Sequence, residues 1–115
     1  MWMICLSNAL DNPMYKIKFT CEFKRQMKLC NRRGYDMEKL QTAIRILSTE
    51  GKLPAEYQPH VLHGDRQGQW ECHILPNWLL IWEQHDTELV LIMLNTGTHS
   101  DLFDKKYKKY SNMIG

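Results

Sequence analysis

The chain has 115 residues, of which 43% are hydrophobic and 24% are charged, and its formal net charge is only +2. This length allows one domain with a modest core and excludes two. No apolar run approaches the roughly 18 residues that span a bilayer, and the net charge alone does not indicate a nucleic-acid-binding protein. The four cysteines lack CxxC pairing, which argues against a zinc site.

The N-terminal residues 1–13 begin with an apolar stretch and continue as a loop-like segment. They have neither the basic start nor the small-residue cleavage site of a signal peptide. We therefore expect a cytoplasmic protein without a disulfide framework. We also expect residues 1–13 to form a poorly ordered extension, because the first well-patterned segment begins only at Met14.

Residues 15–20 alternate between polar and apolar side chains, which predicts a first strand. Two helices are predicted next. Thr20 can cap the first helix and Gly34 can end it, and in the second helix Asp36 and Gly51 take the same places. Each helix has an apolar stripe at helical spacing, formed by Phe23, Met27 and Cys30 in the first and by Met37, Leu40, Ile44 and Leu47 in the second. The short connection between them predicts an antiparallel hairpin.

A proline-punctuated connection leads to a short predicted strand around 61–62. Three longer strands are predicted at about 69–75, 78–84 and 88–96, and compact turns join them. The middle one is apolar on both faces, as the centre of a sheet requires. This order predicts an α+β fold, β-α-α-β-β-β-β, with an antiparallel sheet packed on the helical hairpin. The tail at 104–115 carries four lysines against one acidic residue, and it either frays in solvent or contacts RNA.

Three blocks of sequence carry the most specific signal. They are Pro-His-Val-Leu-His-Gly at 59–64, Trp-Glu-Cys-His-Ile-Leu-Pro-Asn-Trp-Leu-Leu-Ile-Trp at 70–82 and Asn-Thr-Gly-Thr-His-Ser-Asp-Leu-Phe at 95–103. In order and spacing, these blocks resemble the YafQ-like branch of the RelE toxins, and the similarity runs over residues 14–103. The resemblance implies a RelE-like, microbial-RNase-type fold for this domain. It also implies a toxin that cleaves messenger RNA on the ribosome by metal-free acid–base catalysis, with attack by the 2′-hydroxyl.

Cleaving RNA without a metal requires a base for the 2′-hydroxyl proton, an acid for the leaving 5′-oxygen and a positive group near the phosphate. Imidazole suits the first two tasks because its ordinary pKa of about 6.5 is close to neutral pH. The resemblance implies three catalytic histidines: His99 as the general acid, His73 as a second active-site residue, and His60 as a base or phosphate ligand. The alternatives are a turn-capping role for His99 and ordinary strand or loop positions for the other two. His63 falls outside this set and is expected to be structural.

The resemblance also assigns four residues to RNA binding and positioning, namely Phe103, Trp78, Asn77 and Asn95. Phe103 either stacks on an unpaired base or plugs the core, and Trp78 lies either at the site or in the core. The two asparagines depart from the family, which commonly has aspartate at 77 and arginine at 95. A neutral amide neither exchanges a proton nor replaces the charged fork of an arginine that clamps phosphate. The candidates to replace that cation are Lys24, Lys52, Arg66 and the tail lysines.

No cofactor is expected, and a metal site is disfavoured because a strand would point His60 and His63 to opposite faces. The resemblance implies three partners: a cognate antitoxin, the 70S ribosome with its mRNA, and operator DNA reached only through the antitoxin complex. No membrane partner is expected. Two alternatives stay open. One is a catalytically weak RelE-fold protein that acts by binding antitoxin and operator or the ribosome, as Asn77 and Asn95 suggest. The other is a ParE-like gyrase inhibitor, against which the matched histidines argue.

Overall fold

The computed structural model describes residues 14–103, so the predicted extension at 1–13 and the basic tail at 104–115 lie outside the described residues. Within the described chain, five strands and three α-helices follow one another. They are β1 (Lys16–Phe19), α1 (Cys21–Arg32), α2 (Met37–Glu50), β2 (His60–Val61), β3 (Trp70–Leu75), β4 (Trp78–His85), β5 (Val90–Gly97) and α3 (His99–Phe103). Single 3-10 turns at Ala55–Tyr57 and Gly64–Arg66 flank β2.

The helical hairpin forms where the sequence predicts it. The Thr20 hydroxyl accepts a hydrogen bond from the backbone N–H of Phe23 at 3.0 Å, and the Asp36 carboxylate accepts one from the N–H of Glu38 at 3.1 Å. These bonds satisfy backbone donors that a helix start leaves unpaired. Gly51 ends α2 with a φ of 73°, a left-handed conformation that glycine adopts without penalty. Within residues 14–103, no helix has the length and hydropathy of a membrane span.

The sheet has the strand order β1-β5-β4-β3-β2, and the four strands β2 to β5 form the predicted antiparallel meander. The α+β prediction is therefore confirmed, with one correction. Strand β1 pairs with β5 in parallel, so the sheet is mixed rather than wholly antiparallel. After the two helices, the chain enters the sheet at its other edge as β2, which runs in the direction opposite to β1. The three reversals of the meander then bring β5 back alongside β1 in the same direction.

The sheet is buried on both faces. On one face, α1 and α2 enclose the main core. From the sheet it takes Cys72, Trp78, Leu80, Trp82, Leu91 and Met93, each at most 1% exposed. On the other face, Leu79, Ile81 and Leu102 form a smaller buried cluster that Leu62, Leu94 and Phe103 partly cover. Strand β4 contributes to both clusters, which confirms the prediction that it is the central strand.

Helix α3 was not predicted, because five residues are too few to display a helical apolar pattern. Its start is held by a reciprocal pair of bonds. The Thr98 hydroxyl accepts from the N–H of Asp101 at 3.1 Å, and the Asp101 carboxylate accepts from the N–H of Thr98 at 3.0 Å. This is the arrangement of a capping box, with aspartate in the place of the usual glutamate. Leu102, which is only 3% exposed, anchors the helix to the smaller cluster.

Candidate active site

The sheet face opposite the helical hairpin carries a row of polar residues. Through direct strand pairing, His60 lies beside Glu71, Glu71 beside Ile81, and Ile81 beside Asn95. Cross-strand partners project to the same face of a sheet. His60, Glu71 and Asn95 therefore share one surface, with the apolar Ile81 between Glu71 and Asn95. The neighbouring row brings His73 beside Leu79, and Leu79 beside Gly97.

His60 is held at both ring nitrogens. Its Nε2 lies 2.8 Å from Oε1 of Glu71, and its Nδ1 lies 2.8 Å from the carbonyl oxygen of Gln58. The His60 side chain is about half exposed, whereas that of Glu71 is nearly buried. Because both contacting oxygens are acceptors, neither nitrogen of His60 is open to take a proton from a substrate in this arrangement.

His73 lies next to His60, with 6.5 Å between the ring centroids. In contrast to His60, its ring makes no hydrogen bond to any residue in 14–103, and two open cavities of about 370 and 300 Å³ adjoin it. Trp70 and Ile74, its neighbours of opposite orientation on β3, pack in the helix-side core. By strand alternation His73 therefore projects from the side of β3 opposite to Trp70 and Ile74, and its side chain is partly exposed.

His99 opens α3, two residues beyond Gly97. Because strands are about 4.8 Å apart and His73 lies two strands from Gly97, the backbones of the two histidine segments are separated by about 10 Å. The His99 ring is exposed and lies 5.0 Å from the Phe103 ring, centroid to centroid. All three predicted histidines therefore border the same face of the sheet.

A second ion pair fixes the segment that carries His99. The Arg33 guanidinium, at the end of the first helix, donates to both carboxylate oxygens of Asp101, at 2.7 and 3.3 Å. These bonds and those from Thr98 hold the pKa of Asp101 below its ordinary value, with Arg33 as the largest cause. Asp101 therefore caps α3 through Thr98 and also links α3 to the helical hairpin through Arg33.

Arg66 reaches across the face from the β2–β3 connection. Its Nη1 donates to Oδ1 of Asn95 at 2.9 Å and to Oε1 of Gln69 at 2.8 Å. Its guanidinium carbon lies 5.8 Å from the centre of the Phe103 ring, within cation–π range. Burial lowers the pKa of Arg66, and the nearby negative charge of Glu71 partly opposes that effect. An arginine starts so far above neutral pH that the group stays charged.

The remaining predicted residues fall in different places. Phe103 is half-buried and touches the smaller core cluster as well as His99 and Arg66, so it has the core contacts considered for it, and stacking on a base stays a prediction. Asn77 is exposed in the turn between β3 and β4. Trp78 is only 1% exposed, packs edge-on against Tyr35 at 4.9 Å and lies among helix-side residues. The structure places Trp78 in the core and does not bring it to the histidine face.

Two residues that contribute to the site were absent from the predicted set, Glu71 on the face itself and Gln26 on α1. Glu71 could have been recognised, since strand alternation puts this carboxylate on the side of His73 and away from the apolar residues of β3. Gln26 had no such signal. Its Oε1 accepts from the side-chain amide of Asn95 at 3.2 Å and from the N–H of Thr96 at 3.0 Å, a contact between segments 70 residues apart.

A meander sheet with a parallel edge strand, a helical hairpin on one face and histidines on the other places the chain among the RelE-like toxins. Residues 15–104 match the family described as the YafQ bacterial toxin of type II toxin–antitoxin systems, and the chain belongs to this family. It is 34% identical over 88 residues to the mRNA interferase toxin YafQ of Escherichia coli K12, covering 76% of this chain and 94% of that protein.

Two solved structures are similar throughout the described domain. One is the E. coli DinJ–YafQ toxin–antitoxin complex, with a TM-score of 0.72, 33% identity and coverage of 78% of this chain and 98% of the matched chain. The other is a metal-bound toxin from Helicobacter pylori, with a TM-score of 0.72, 31% identity and coverage of 78% and 100%. In the part of this chain that the structure describes, no three His, Cys, Asp or Glu side chains are grouped closely enough to hold a metal ion.

The position of Trp78 predicts a structural phenotype. Trp78→Phe removes the indole hydrogen bond to the Thr96 hydroxyl, 2.9 Å long, and part of a buried ring. We expect the free energy of unfolding to fall by about 1–3 kcal/mol. Urea denaturation followed by circular dichroism measures this change. RNA affinity of the folded protein should equal that of wild type, and a selective loss of RNA affinity would contradict the core placement.

The Asp101 cap predicts a pH-dependent stability difference. Because its folded-state pKa is lowered, the stabilisation is fully present above the ordinary pKa of about 3.9 and is lost as the pH falls through the lowered value. Asp101→Asn should therefore destabilise the protein by about 1–2 kcal/mol at pH 7 and by less below pH 4. Urea denaturation at both pH values measures the difference. Asp65→Asn, at an exposed position, is the matched control and should change little.

Proposed function

We propose that this protein is the toxin of a toxin–antitoxin module and acts as a ribosome-dependent endoribonuclease on messenger RNA. One observation carries the proposal: His60, His73 and His99, from three separate segments, border one face of the sheet. A shared face is what a single scissile phosphodiester requires of its acid and base. The name of the E. coli relative, an mRNA interferase toxin, supports the same activity.

The surroundings of the three histidines favour a different role for each of them. His73 has no ring hydrogen bond within residues 14–103, and we assign it as the base that takes the 2′-hydroxyl proton. The 2′-oxygen then attacks phosphorus, and the bond from phosphorus to the 5′-oxygen breaks. His99, at the exposed start of α3, gives a proton to that departing oxygen. The products are a 2′,3′-cyclic phosphate and a 5′-hydroxyl.

His60 receives a different role. The Glu71 carboxylate and the Gln58 carbonyl occupy both of its ring nitrogens, so it is better suited to orient the site than to accept a proton. It would first have to break one of these 2.8 Å contacts to serve as a base. We therefore assign His60 to phosphate binding and to the placement of His73, whose ring it adjoins.

Phe103 offers a platform for a base. Its ring lies beside His99 and is only partly covered by the smaller core cluster. An unstacked base on the exposed part of its ring would place the adjoining phosphate near the general acid, and such stacking contributes about 1–3 kcal/mol per base. Asn77, exposed at the far end of β3, is available for a hydrogen bond to the same strand of RNA.

The partners follow from the family. The related E. coli toxin is found in a complex with DinJ, and we propose a cognate antitoxin for this chain, with operator DNA bound through that complex. We further propose that the 70S ribosome presents the mRNA substrate; the name of the E. coli relative, an mRNA interferase toxin, supports mRNA as that substrate. The site of action would be the cytoplasm.

A second candidate function is binding without efficient cleavage. It is favoured by Asn77 and Asn95, where the family commonly has an aspartate and an arginine. Expression in cells separates the candidates: cleaved transcripts and arrested translation indicate the nuclease, and unimpaired growth indicates an inert binder. Filamentation with DNA damage would instead indicate gyrase inhibition, which the matched histidines oppose.

Replacement of His99 tests the general acid. His99→Ala should lower the rate of mRNA cleavage by about 10²–10⁴ and abolish growth arrest, because the leaving oxygen then departs without a proton. Mapping transcript 5′ ends after induction measures the change, and pull-down of the co-expressed antitoxin should be unaffected. His85→Ala is the matched control, since His85 contacts Glu83 at the end of β4. Equal toxicity of wild type and His99→Ala at matched expression would refute the assignment.

Metal independence is a separate expectation. Purified protein on programmed ribosomes should cleave at the same rate after treatment with 1,10-phenanthroline, with Mg²⁺ kept present so that the ribosome stays intact. The physical reason is that imidazoles supply both proton transfers, so no bound metal need activate the nucleophile. Loss of cleavage on chelation, restored by added Cu²⁺ or Zn²⁺, would show that a transition metal takes part.

A further inference from the structure

Arg66 is anchored through only part of its guanidinium group. Both of its hydrogen bonds, to Asn95 and to Gln69, are made by Nη1. Within residues 14–103, its Nε and Nη2 have no hydrogen-bond partner. These two nitrogens form one edge of the planar fork, and that edge matches two oxygens of a phosphate group. The anchored nitrogen thus holds the group in place while the opposite edge remains available.

The charge of Arg66 is not neutralised by a direct contact. Its two partners are neutral amides, and it forms no ion pair with a carboxylate in the described part of the chain. The Glu71 charge acts on it without a hydrogen bond between them. Arg33 differs in this respect, because the Asp101 carboxylate occupies its fork. A half-buried, unneutralised guanidinium is costly to maintain unless an anion completes its surroundings.

Arg66 also lies at the histidine face. Its guanidinium and the His99 ring contact the same Phe103 ring, at 5.8 and 5.0 Å from the ring centre. The Asn95 that holds it stands in the row that begins at His60. Gln26 fixes the amide of Asn95, since it accepts from Nδ2 and leaves Oδ1 directed toward Arg66. Gln26, on α1, therefore positions Asn95, and Asn95 in turn holds the Arg66 guanidinium at the histidine face.

We propose that Arg66 is the catalytic cation that binds the scissile phosphate through its Nε–Nη2 edge, with Asn95 and Gln26 as positioning residues. This inference rests on the proposed nuclease function and deepens it. An arginine in the β2–β3 connection then occupies the space where a longer side chain at position 95 would place its own guanidinium. Asn95 supports the Arg66 guanidinium. The site therefore has a positive charge, although residue 95 itself is neutral.

The first test measures contact with an anion and does not require cleavage. The probe is a single-stranded 2′-O-methyl oligoribonucleotide, which cannot be cleaved by attack of its 2′-oxygen, and fluorescence anisotropy gives its affinity over a range of salt concentrations. Arg66→Gln keeps a donor for Asn95 but removes the charge, so the slope of log K against log salt should become shallower by about 0.7. Lys16→Gln removes an equal charge from an exposed side chain on β1, at the sheet edge opposite to the strand of His60, and should leave the slope unchanged. An unchanged slope for Arg66→Gln overturns the proposal.

The second test measures the rate of cleavage in a single turnover on programmed ribosomes. Arg66→Gln should be slower by about 10²–10³, the usual loss for one preorganised charge in a transition state. Arg66→Lys should be intermediate, because it keeps the charge but not the fork. Adding Asn95→Arg to Arg66→Gln should restore most of the rate, since the two side chains are in contact at 2.9 Å.

The outcomes separate this proposal from the proposed function. If wild type does not cleave on the ribosome, the nuclease proposal fails, and the salt dependence still decides whether Arg66 binds an anion. If wild type cleaves and Arg66→Gln cleaves equally fast, the nuclease stands and the role of Arg66 is wrong. If the lost rate follows a lost folded fraction in urea denaturation, and Asn95→Arg does not restore it, Arg66 is only a structural tie and the proposal is wrong.

Discussion

Leu79 and Ile81 are fully buried on the sheet face that has no helical hairpin, and everything at the candidate site depends on how they are covered. Burying one such side chain contributes about 1.5–3 kcal/mol. The cover is supplied by Leu62 from the β2–β3 connection and by Leu102 from α3. Those same two segments carry Arg66 and His99. Apolar packing therefore holds the charged and titratable groups in place, although it takes no part in their chemistry.

Two carboxylates at the candidate site have close partners. Glu71 is buried against His60, and Asp101 is paired with Arg33 while it caps α3. Removal of one member of such a pair leaves the other poorly solvated, which lowers the stability of the fold. Arg66 differs, since its hydrogen bonds within residues 14–103 go to side-chain amides only. An unpaired cation over an apolar floor is a reasonable place for an anionic substrate.

The departure at position 95 illustrates the difference between a position in sequence and a position in space. A phosphodiester in its transition state responds to where positive charge lies and how it is oriented, not to which strand supplies it. Asn95 is too short and neutral to provide the charge, but its amide oxygen is well placed to accept from a guanidinium that arrives from another segment. The geometry of the sheet brings the two together across 29 residues of sequence.

The sequence by itself determined the elements from β1 to β5, and its resemblance to a known family supplied the candidate histidines. Caps at Thr20 and Asp36 and the doubly apolar β4 are local signals, and local signals are readable because they act within a few residues. The parallel pairing of β1 with β5 was missed, since strand direction depends on the path of the whole chain. The choice of Arg66 among several cations, and the core position of Trp78, likewise required tertiary contacts. The contacts of Arg66 and of Trp78 are made with side chains that are distant in sequence and come together only when the apolar faces are buried. The spacing of residues along the chain does not predict such contacts.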